Sequence, residues 1–233
     1  MQKTRIEWVR GPNGERGYTW NPCVGCRGEG CAVYDVCYAR RTAKRFKKRC
    51  QSCYEFKPHL HPERLSQPYK VKKPSGIFVC SMADLFGSGV DAVYNRVQVL
   101  KAMAAAYWHR YYILTKQPQN AKNYTEYPDN VWIGVTVNRR SDLWRLDELR
   151  RINARVKFVS FEPLCEDLGE IDLTDVRWVI VGAQTRPNKQ PDVEWLNSVL
   201  RVAHSREIPV FLKNNLGLAP LFGSGPQQEF PKV

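Results

Sequence analysis

Six short apolar runs recur through the last two-thirds of the chain, at residues 77–80, 111–114, 131–135, 157–159, 178–181 and 210–212. Each is a continuous β-branched or aromatic run rather than an alternation of apolar and polar residues. Strands buried on both faces read this way, and such strands belong to parallel sheets. An earlier strand is expected to end near Thr19-Trp20-Asn21. Amphipathic stretches with helical spacing lie between the runs. One covers 92–107, enters from Asp91 as N-cap and places Val93, Val97, Leu100 and Ala104 on one face. Another covers 141–152, with Ser141 as N-cap and Leu143, Leu146 and Leu149 facing inward. A third covers 193–203 after Asp192, with Trp195, Val199 and Val202 as its inner face. This alternation predicts βαβ units and a parallel sheet.

The residues just beyond each run are polar and chemically useful. Ser81 and Asp84 come after the first, Thr115 and Lys116 after the second, and Thr136 and Asn138 after the third. Ser160 and Glu162 come after the fourth, Gln184 and Thr185 after the fifth, and Lys213 after the sixth. Ligands of parallel α/β folds bind at the carboxyl ends of the strands. Ser81, Asp84, Thr115, Lys116, Thr136, Glu162, Gln184 and Lys213 are therefore expected around one rim. Loops are polar in any protein, but six strands that all deliver such groups favour a shared site.

Cysteines are the second constraint. Six of the eight fall between Cys23 and Cys53. The N-terminal residues lead into no apolar segment, so no signal peptide is expected, and the location expected is cytoplasmic. Without export, a disulfide framework is disfavoured and metal ligation explains the crowding. No run of about 18 apolar residues exists, so no membrane span is expected. The 233 residues suffice for one domain, expected over 1–220, with an insertion at about 50–75 and a frayed tail over 221–233.

Net charge is +13, and it is uneven: seven cations stand among the ten residues 40–49. A helix expected over 32–48 would place Arg41, Lys44, Arg45 and Lys48 along one face, with Phe46 as an anchor. Such a stripe suits nucleic acid, as do seven Trp and eleven Tyr, although most of the Trp lie in or beside expected core elements.

Cys26, Cys31 and Cys37 sit in a Gly-rich loop that opens this helix. Thiolates are the usual ligands of iron–sulfur clusters, and glycines let backbone wrap closely around one. A rival set pairs Cys23-x-x-Cys26 with Cys50-x-x-Cys53 as a four-cysteine zinc site. Cys50 and Cys53 are otherwise a possible second metal site with Cys23 or His59, or plain thiols. Cys80 and Cys165 read as structural, and His61 and Arg64 as loop braces.

The order Trp20-Asn21-Pro22, Gly25-Cys26, Gly30-Cys31, Cys37-Tyr38-Ala39 resembles the phage Gp37/Gp68-like family, itself similar to the radical SAM superfamily and to spore photoproduct lyases. The resemblance extends through His61-Pro62-Glu63-Arg64-Leu65, Cys80-Ser81-Met82-Ala83-Asp84, Leu114-Thr115-Lys116, Phe158-Val159-Ser160-Phe161-Glu162-Pro163 and Trp178-Val179-Ile180-Val181-Gly182, nearly the whole chain. It implies an open, partial TIM-like (β/α) barrel of parallel strands. It also implies a [4Fe–4S] cluster on Cys26, Cys31 and Cys37, with S-adenosylmethionine (SAM) on the fourth iron. Reductive cleavage of SAM would give a 5′-deoxyadenosyl radical that abstracts a substrate hydrogen. The cysteine spacing departs from the usual radical SAM pattern: four and then five residues separate the ligands, and the aromatic residue follows the last one. Glu162 and Asp84 would meet the SAM amino group or ribose, and Lys116 and Lys213 a carboxylate or phosphate. The implied partners are DNA or a modified nucleotide, and an electron donor such as a flavodoxin or ferredoxin. Rearrangement of an amino-acid-substituted thymine is one concrete reaction. The alternative class is a non-catalytic zinc-binding nucleic-acid module.

Overall fold

The computed structural model describes residues 1–15, 17–89, 92–123, 127–218 and 226–232. Twelve strands are assigned among them: β1 (Gln2–Lys3), β2 (Tyr18–Trp20), β3 (Cys23–Val24), β4 (His59–Leu60), β5 (Gly76–Val79), β6 (Arg110–Thr115), β7 (Val131–Thr136), β8 (Val156–Phe161), β9 (Trp178–Val181), β10 (Gln184–Thr185), β11 (Asn188–Lys189) and β12 (Val210–Leu212). Seven helices accompany them: α1 (Tyr38–Ala43), α2 (Gln51–Tyr54), α3 (Gln67–Lys70), α4 (Ala92–Ala105), α5 (Pro118–Ala121), α6 (Trp144–Arg150) and α7 (Val193–Ser205). The main sheet has eight strands in the order β1-β2-β5-β6-β7-β8-β9-β12. Every neighbouring pair from β2 to β12 is parallel, and only the edge strand β1 runs antiparallel. The seven expected strands are thus present within about two residues of their expected ends.

Each central strand divides its side chains between two cores, as the two-residue period of a strand requires. Ile77, Val79, Tyr111, Ile113, Ile133, Val135, Val159, Val179 and Val181 pack with the helical residues Val99, Met103, Leu146, Leu149, Leu196 and Val199. The opposite face holds Tyr112, Trp132, Phe158, Trp178 and Phe211, with Phe78 packed against them. Six adjacent strands therefore contribute one aromatic ring each. The rings of Tyr112 and Trp178 lie 6.2 Å apart, although their strands are three steps apart in the sheet. Three steps of a flat sheet span about 14 Å. The sheet is therefore curled, with the aromatic face inside the curve.

Trp8, on the loop between β1 and β2, fills that hollow. Its ring lies 5.1 Å from Phe78, 5.6 Å from Tyr112, and 6.1 Å from both Phe158 and Trp178. The loop covers the amino-terminal ends of the strands, where the Tyr112 hydroxyl donates to the Arg10 carbonyl at 2.8 Å. Gly134 is glycine for a packing reason: a Cβ there would meet the Phe158 ring at 2.4 Å.

Several expectations are corrected. The helix expected over 32–48 begins only at Tyr38, gives way to a 3-10 turn at Lys44–Phe46, and ends there. Arg41, Lys44, Arg45 and Lys48 are all exposed, but they do not share one continuous helical face. Phe46 packs beside Ala39, Ala43 and Cys53, as an anchor should. On α4 the buried positions are Arg96, Val99 and Met103, while Val93 and Ala104 are exposed. Arg96 takes the inward place because its guanidinium donates to the carbonyls of Leu85, Phe86 and Gly87. Asp91, expected as the N-cap of α4, lies outside the described residues. Ser141 sits inside a 3-10 turn at Arg140–Asp142 and caps nothing. Asp192 does cap α7, accepting from the Glu194 amide at 2.8 Å. The inner face of α7 is Leu196, Val199 and Ala203, with Trp195 and Val202 half-buried beside it.

The tail is not frayed over 226–232. Leu212 donates to the Gln227 carbonyl at 2.7 Å and Glu229 to the Val210 carbonyl at 2.9 Å, so this segment covers the outer edge of β12. The Phe230 ring lies 5.3 Å from Trp178.

The Trp8 indole N–H has no partner among the described residues, so its contribution is packing. Trp8→Ala should cost about 3–5 kcal/mol in urea unfolding, and Trp8→Phe less than about 1.5 kcal/mol. Equal losses from both would show that the indole makes a hydrogen bond this packing does not include.

Candidate functional site

The carboxyl ends of the strands are tied together before any ligand is considered. Asn21, directly after β2, accepts from the Ser81 hydroxyl at 3.2 Å and the Met82 amide at 2.8 Å. Arg64 donates to the Asn21 carbonyl at 3.0 Å, and the Trp20 indole donates to the Arg64 carbonyl at 2.9 Å. Asp84 accepts from the Thr115 hydroxyl at 2.6 Å, the Lys116 amide at 2.8 Å and the Phe86 amide at 3.0 Å. With three donors on its carboxylate, Asp84 holds the tops of β5 and β6 together.

The cysteine loop is laid across this rim. Gly25 donates to the Met82 carbonyl at 3.0 Å and Gln117 to the Glu29 carbonyl at 2.8 Å. Buried Arg145 is the deepest tether. It donates to the Gly30 carbonyl at 2.6 Å and the Thr136 carbonyl at 2.8 Å, and pairs with buried Asp142 at 3.0 Å. Cys26, Cys31 and Cys37 line one cleft of about 140 Å³ together with Tyr34, Tyr38, Ser81, Asp84, Lys116 and Gln117. The expected iron-site cysteines and three of the expected rim residues, Ser81, Asp84 and Lys116, thus meet on one side of the sheet.

The charge environment differs from the sequence expectation. Only Cys37 abuts a helix, and α1 has six residues, so a helix-end field is not what would steady the thiolates. Burial pushes the Cys26 thiol up to about 11, the Gly28 amide that reaches its sulfur at 3.2 Å and the Lys116 charge opposing that shift. A metal binding there must displace the thiol proton, so its affinity falls as pH falls.

The remaining rim residues divide. Glu162 and Lys213 form an ion pair over Gly182, where a Cβ would lie 3.0 Å from both side chains. Thr136 and Ser160 are paired across β7 and β8, and their buried hydroxyls have no partner among the described residues. By strand alternation they share the inner face with Trp132 and Phe158. Gln184 belongs to the β10–β11 hairpin and donates to the Pro187 carbonyl at 3.0 Å. A larger cleft of about 590 Å³ adjoins the first through Tyr38 and Ser81 and is lined by Lys3, Arg5 and Arg64.

A second constellation lies behind the cysteine loop. Cys50, Cys53, His59 and His61 bring their ligand atoms within 4.8 Å of one another and can hold a metal ion. It is the one such group found among the described residues. The four-cysteine set of Cys23, Cys26, Cys50 and Cys53 is not assembled. Cys23 is buried in the main core with Cys80, whereas Cys50 and Cys53 pack in a separate cluster. His61 is a member that the sequence places among loop braces. The signal is a His-x-His pair six residues beyond Cys-x-x-Cys, and on a strand those two histidines share a face. Burial, and then Arg64, lower the pKa of His61, which keeps the ring neutral as a metal ligand must be.

A family model described as "Protein of unknown function (DUF5131)" matches residues 3–220, and the chain belongs to that family. No curated protein and no solved structure matches it. Among the described residues, no helix is long and apolar enough to cross a membrane.

The Arg145 tether predicts a coupled loss. Arg145→Met leaves the buried Asp142 carboxylate with the Asn138 amide at 3.1 Å but without its countercharge, and should destabilise the fold by about 3–5 kcal/mol in urea unfolding. Cys31 should also react faster with a thiol reagent, because Gly30 is released. Unchanged stability and reactivity would show that the loop is held by other contacts.

Proposed function

We propose that this protein is a radical SAM enzyme of the kind the phage Gp37/Gp68-like resemblance implies, built on an open (β/α) barrel. The observation that carries the reading is the placement of Cys26, Cys31 and Cys37. One loop brings three thiols over the carboxyl rim of a curled parallel sheet, where they line a single cleft. Three thiols lining one cleft suit a polynuclear cluster with three protein ligands. Bound there, a [4Fe–4S] cluster and SAM together supply a carbon-centred radical that removes a hydrogen atom from the substrate.

The chain's own residues position and shield that chemistry. Lys116 offers a cation beside Cys26 for a carboxylate or phosphate. The Thr136 and Ser160 hydroxyls, without partners among the described residues, and the Glu162–Lys213 pair supply polar groups further along the inner face. Tyr38, whose hydroxyl donates to the Ser81 carbonyl, forms the wall between the two clefts. The larger, basic cleft suits an anionic substrate, and the exposed cations of 40–49 lie on the chain that borders it. DNA or a modified nucleotide is the substrate class that fits. A target base would leave its stack to reach the rim, and an amino-acid-substituted thymine is the concrete candidate. An electron donor such as a flavodoxin or ferredoxin completes the set.

Cys26→Ala, Cys31→Ala and Cys37→Ala should each lose iron and labile sulfide after anaerobic reconstitution, while Cys80→Ala keeps them. Full iron in all three variants would overturn the reading. Changing Lys44, Arg45, Lys47 and Lys48 to Gln should leave iron intact and weaken duplex binding. The slope of log affinity against log salt should flatten by about 0.9 for each lost phosphate contact. Unchanged affinity and slope would remove the basic segment from the substrate path.

A further inference from the structure

The group at Cys50, Cys53, His59 and His61 has the dimensions of a single tetrahedral ion. His59 Nε2 lies 3.5 Å from the Cys50 sulfur and 3.4 Å from the Cys53 sulfur, and His61 Nε2 lies 3.2 Å from the Cys53 sulfur. The two Nε2 atoms are 3.0 Å apart. Zinc with Zn–S of ~2.3 Å and Zn–N of ~2.0–2.1 Å sets sulfur and nitrogen ~3.5 Å apart, and two nitrogens ~3.4 Å apart.

The tautomers point the same way. His59 Nδ1 lies 2.7 Å from the Lys57 carbonyl, which can only accept, so Nδ1 carries the proton. His61 Nδ1 faces the Glu63 carboxylate at 3.0 Å and is protonated for the same reason. Both rings then turn their Nε2 lone pairs toward each other and toward two sulfurs. With both protons on Nδ1, no proton lies between the two Nε2 atoms at 3.0 Å, and a cation bound by both lone pairs and both sulfurs relieves that contact. Oxygen acceptors on the outer nitrogens are also how metal-bound histidines are usually oriented.

We propose that Cys50, Cys53, His59 and His61 hold one zinc ion in a closed structural site, and that this ion fixes the backbone carrying Cys26. Two thiolates and two imidazoles complete a tetrahedron, so no coordination position is left for a substrate. The ligand-bearing segment lies directly against the start of the cysteine loop. β4, which carries His59, pairs with β3, matching Val24 to His59 and Cys23 to Leu60. The Cys26 amide donates to the Phe56 carbonyl at 3.2 Å. At Gly25, where φ is +96°, a Cβ would stand 2.1 Å from the Lys57 carbonyl, so the two segments are in contact at the backbone. The zinc assignment stands without the radical SAM reading. Only the value of a fixed Cys26 to a cluster rests on that reading.

The test uses the full chain, purified aerobically before any iron is added. Elemental analysis should find one zinc ion per chain. Cys53→Ser and His61→Ala should lose it, and a triple Cys26→Ala, Cys31→Ala, Cys37→Ala variant should keep it. Because ligand variants can misfold, wild-type protein stripped by chelator is titrated with Co²⁺ as a second measurement. The absorption of tetrahedral cobalt bound by two thiolates should appear with a one-to-one end point. In the triple variant, chelation should accelerate amide exchange over 23–26. Absence of zinc together with absence of the cobalt spectrum would overturn the site. Zinc that is kept in Cys53→Ser but lost in the triple variant would place the ion elsewhere. Unchanged exchange over 23–26 would overturn the link to Cys26.

Discussion

Six aromatic rings on the inner face of the sheet, one from each strand of the run β5-β6-β7-β8-β9-β12, are packed against one another and against Trp8. Burying them together in one hollow holds the sheet in its curl. Everything at the carboxyl rim depends on that curl. A flat sheet would separate Asp84, Thr136 and Lys213 by the full width of their strands. A curled one turns their strand ends toward a common space, and the loop from 25 to 37 can then reach across it. The loop between β1 and β2 does the opposite job at the other end, covering the amino-terminal ends of the strands. One end is thereby committed to packing and the other is free for chemistry.

The rim itself is built by hydrogen bonds rather than by apolar contact. Asn21, Asp84 and Arg145 each join segments far apart in sequence, and each bonds to backbone groups of the loops they hold. Backbone tethers specify position without demanding a particular side chain nearby. The three cysteines are thus placed by their neighbours' carbonyls and amides, and the Cys26 sulfur itself accepts from the Gly28 amide. Behind them, the Cys50–His61 group braces the same loop from the outside. The basic residues 40–49 run between the two cysteine constellations and are held at both ends.

The sheet is legible in the sequence because its strands are buried on both faces, and continuous apolar runs such as Trp178-Val179-Ile180-Val181 have few alternatives. The rim residues are legible because polar side chains come directly after those runs. The errors fall where tertiary geometry overrides local pattern. Residues 32–48 have helix-compatible composition, but the chain must turn at Phe46 to bring Cys50 back to His59, and a continuous helix cannot do that. Spacing alone puts Val93 inward, whereas the buried stripe of α4 is set by Arg96 and its three carbonyl partners. Gln184 follows a strand like the other rim residues and opens a tight hairpin within which its amide is bonded. The second metal group is half legible: Cys50 and Cys53 announce themselves, but His61 becomes a ligand only once 59–61 is known to be extended. The glycines of the tail suggest fraying, and the pairing of 227–229 with β12 has no local sequence signature.

The central question is whether the three-cysteine cleft opens SAM. Anaerobically reconstituted and reduced protein should convert SAM to 5′-deoxyadenosine and methionine, slowly even without substrate. The Cys31→Ala protein, prepared alongside, should give none. Equal product from both, or none above a cluster-free control from a preparation with full iron and sulfide, would contradict the assignment of this rim to radical chemistry.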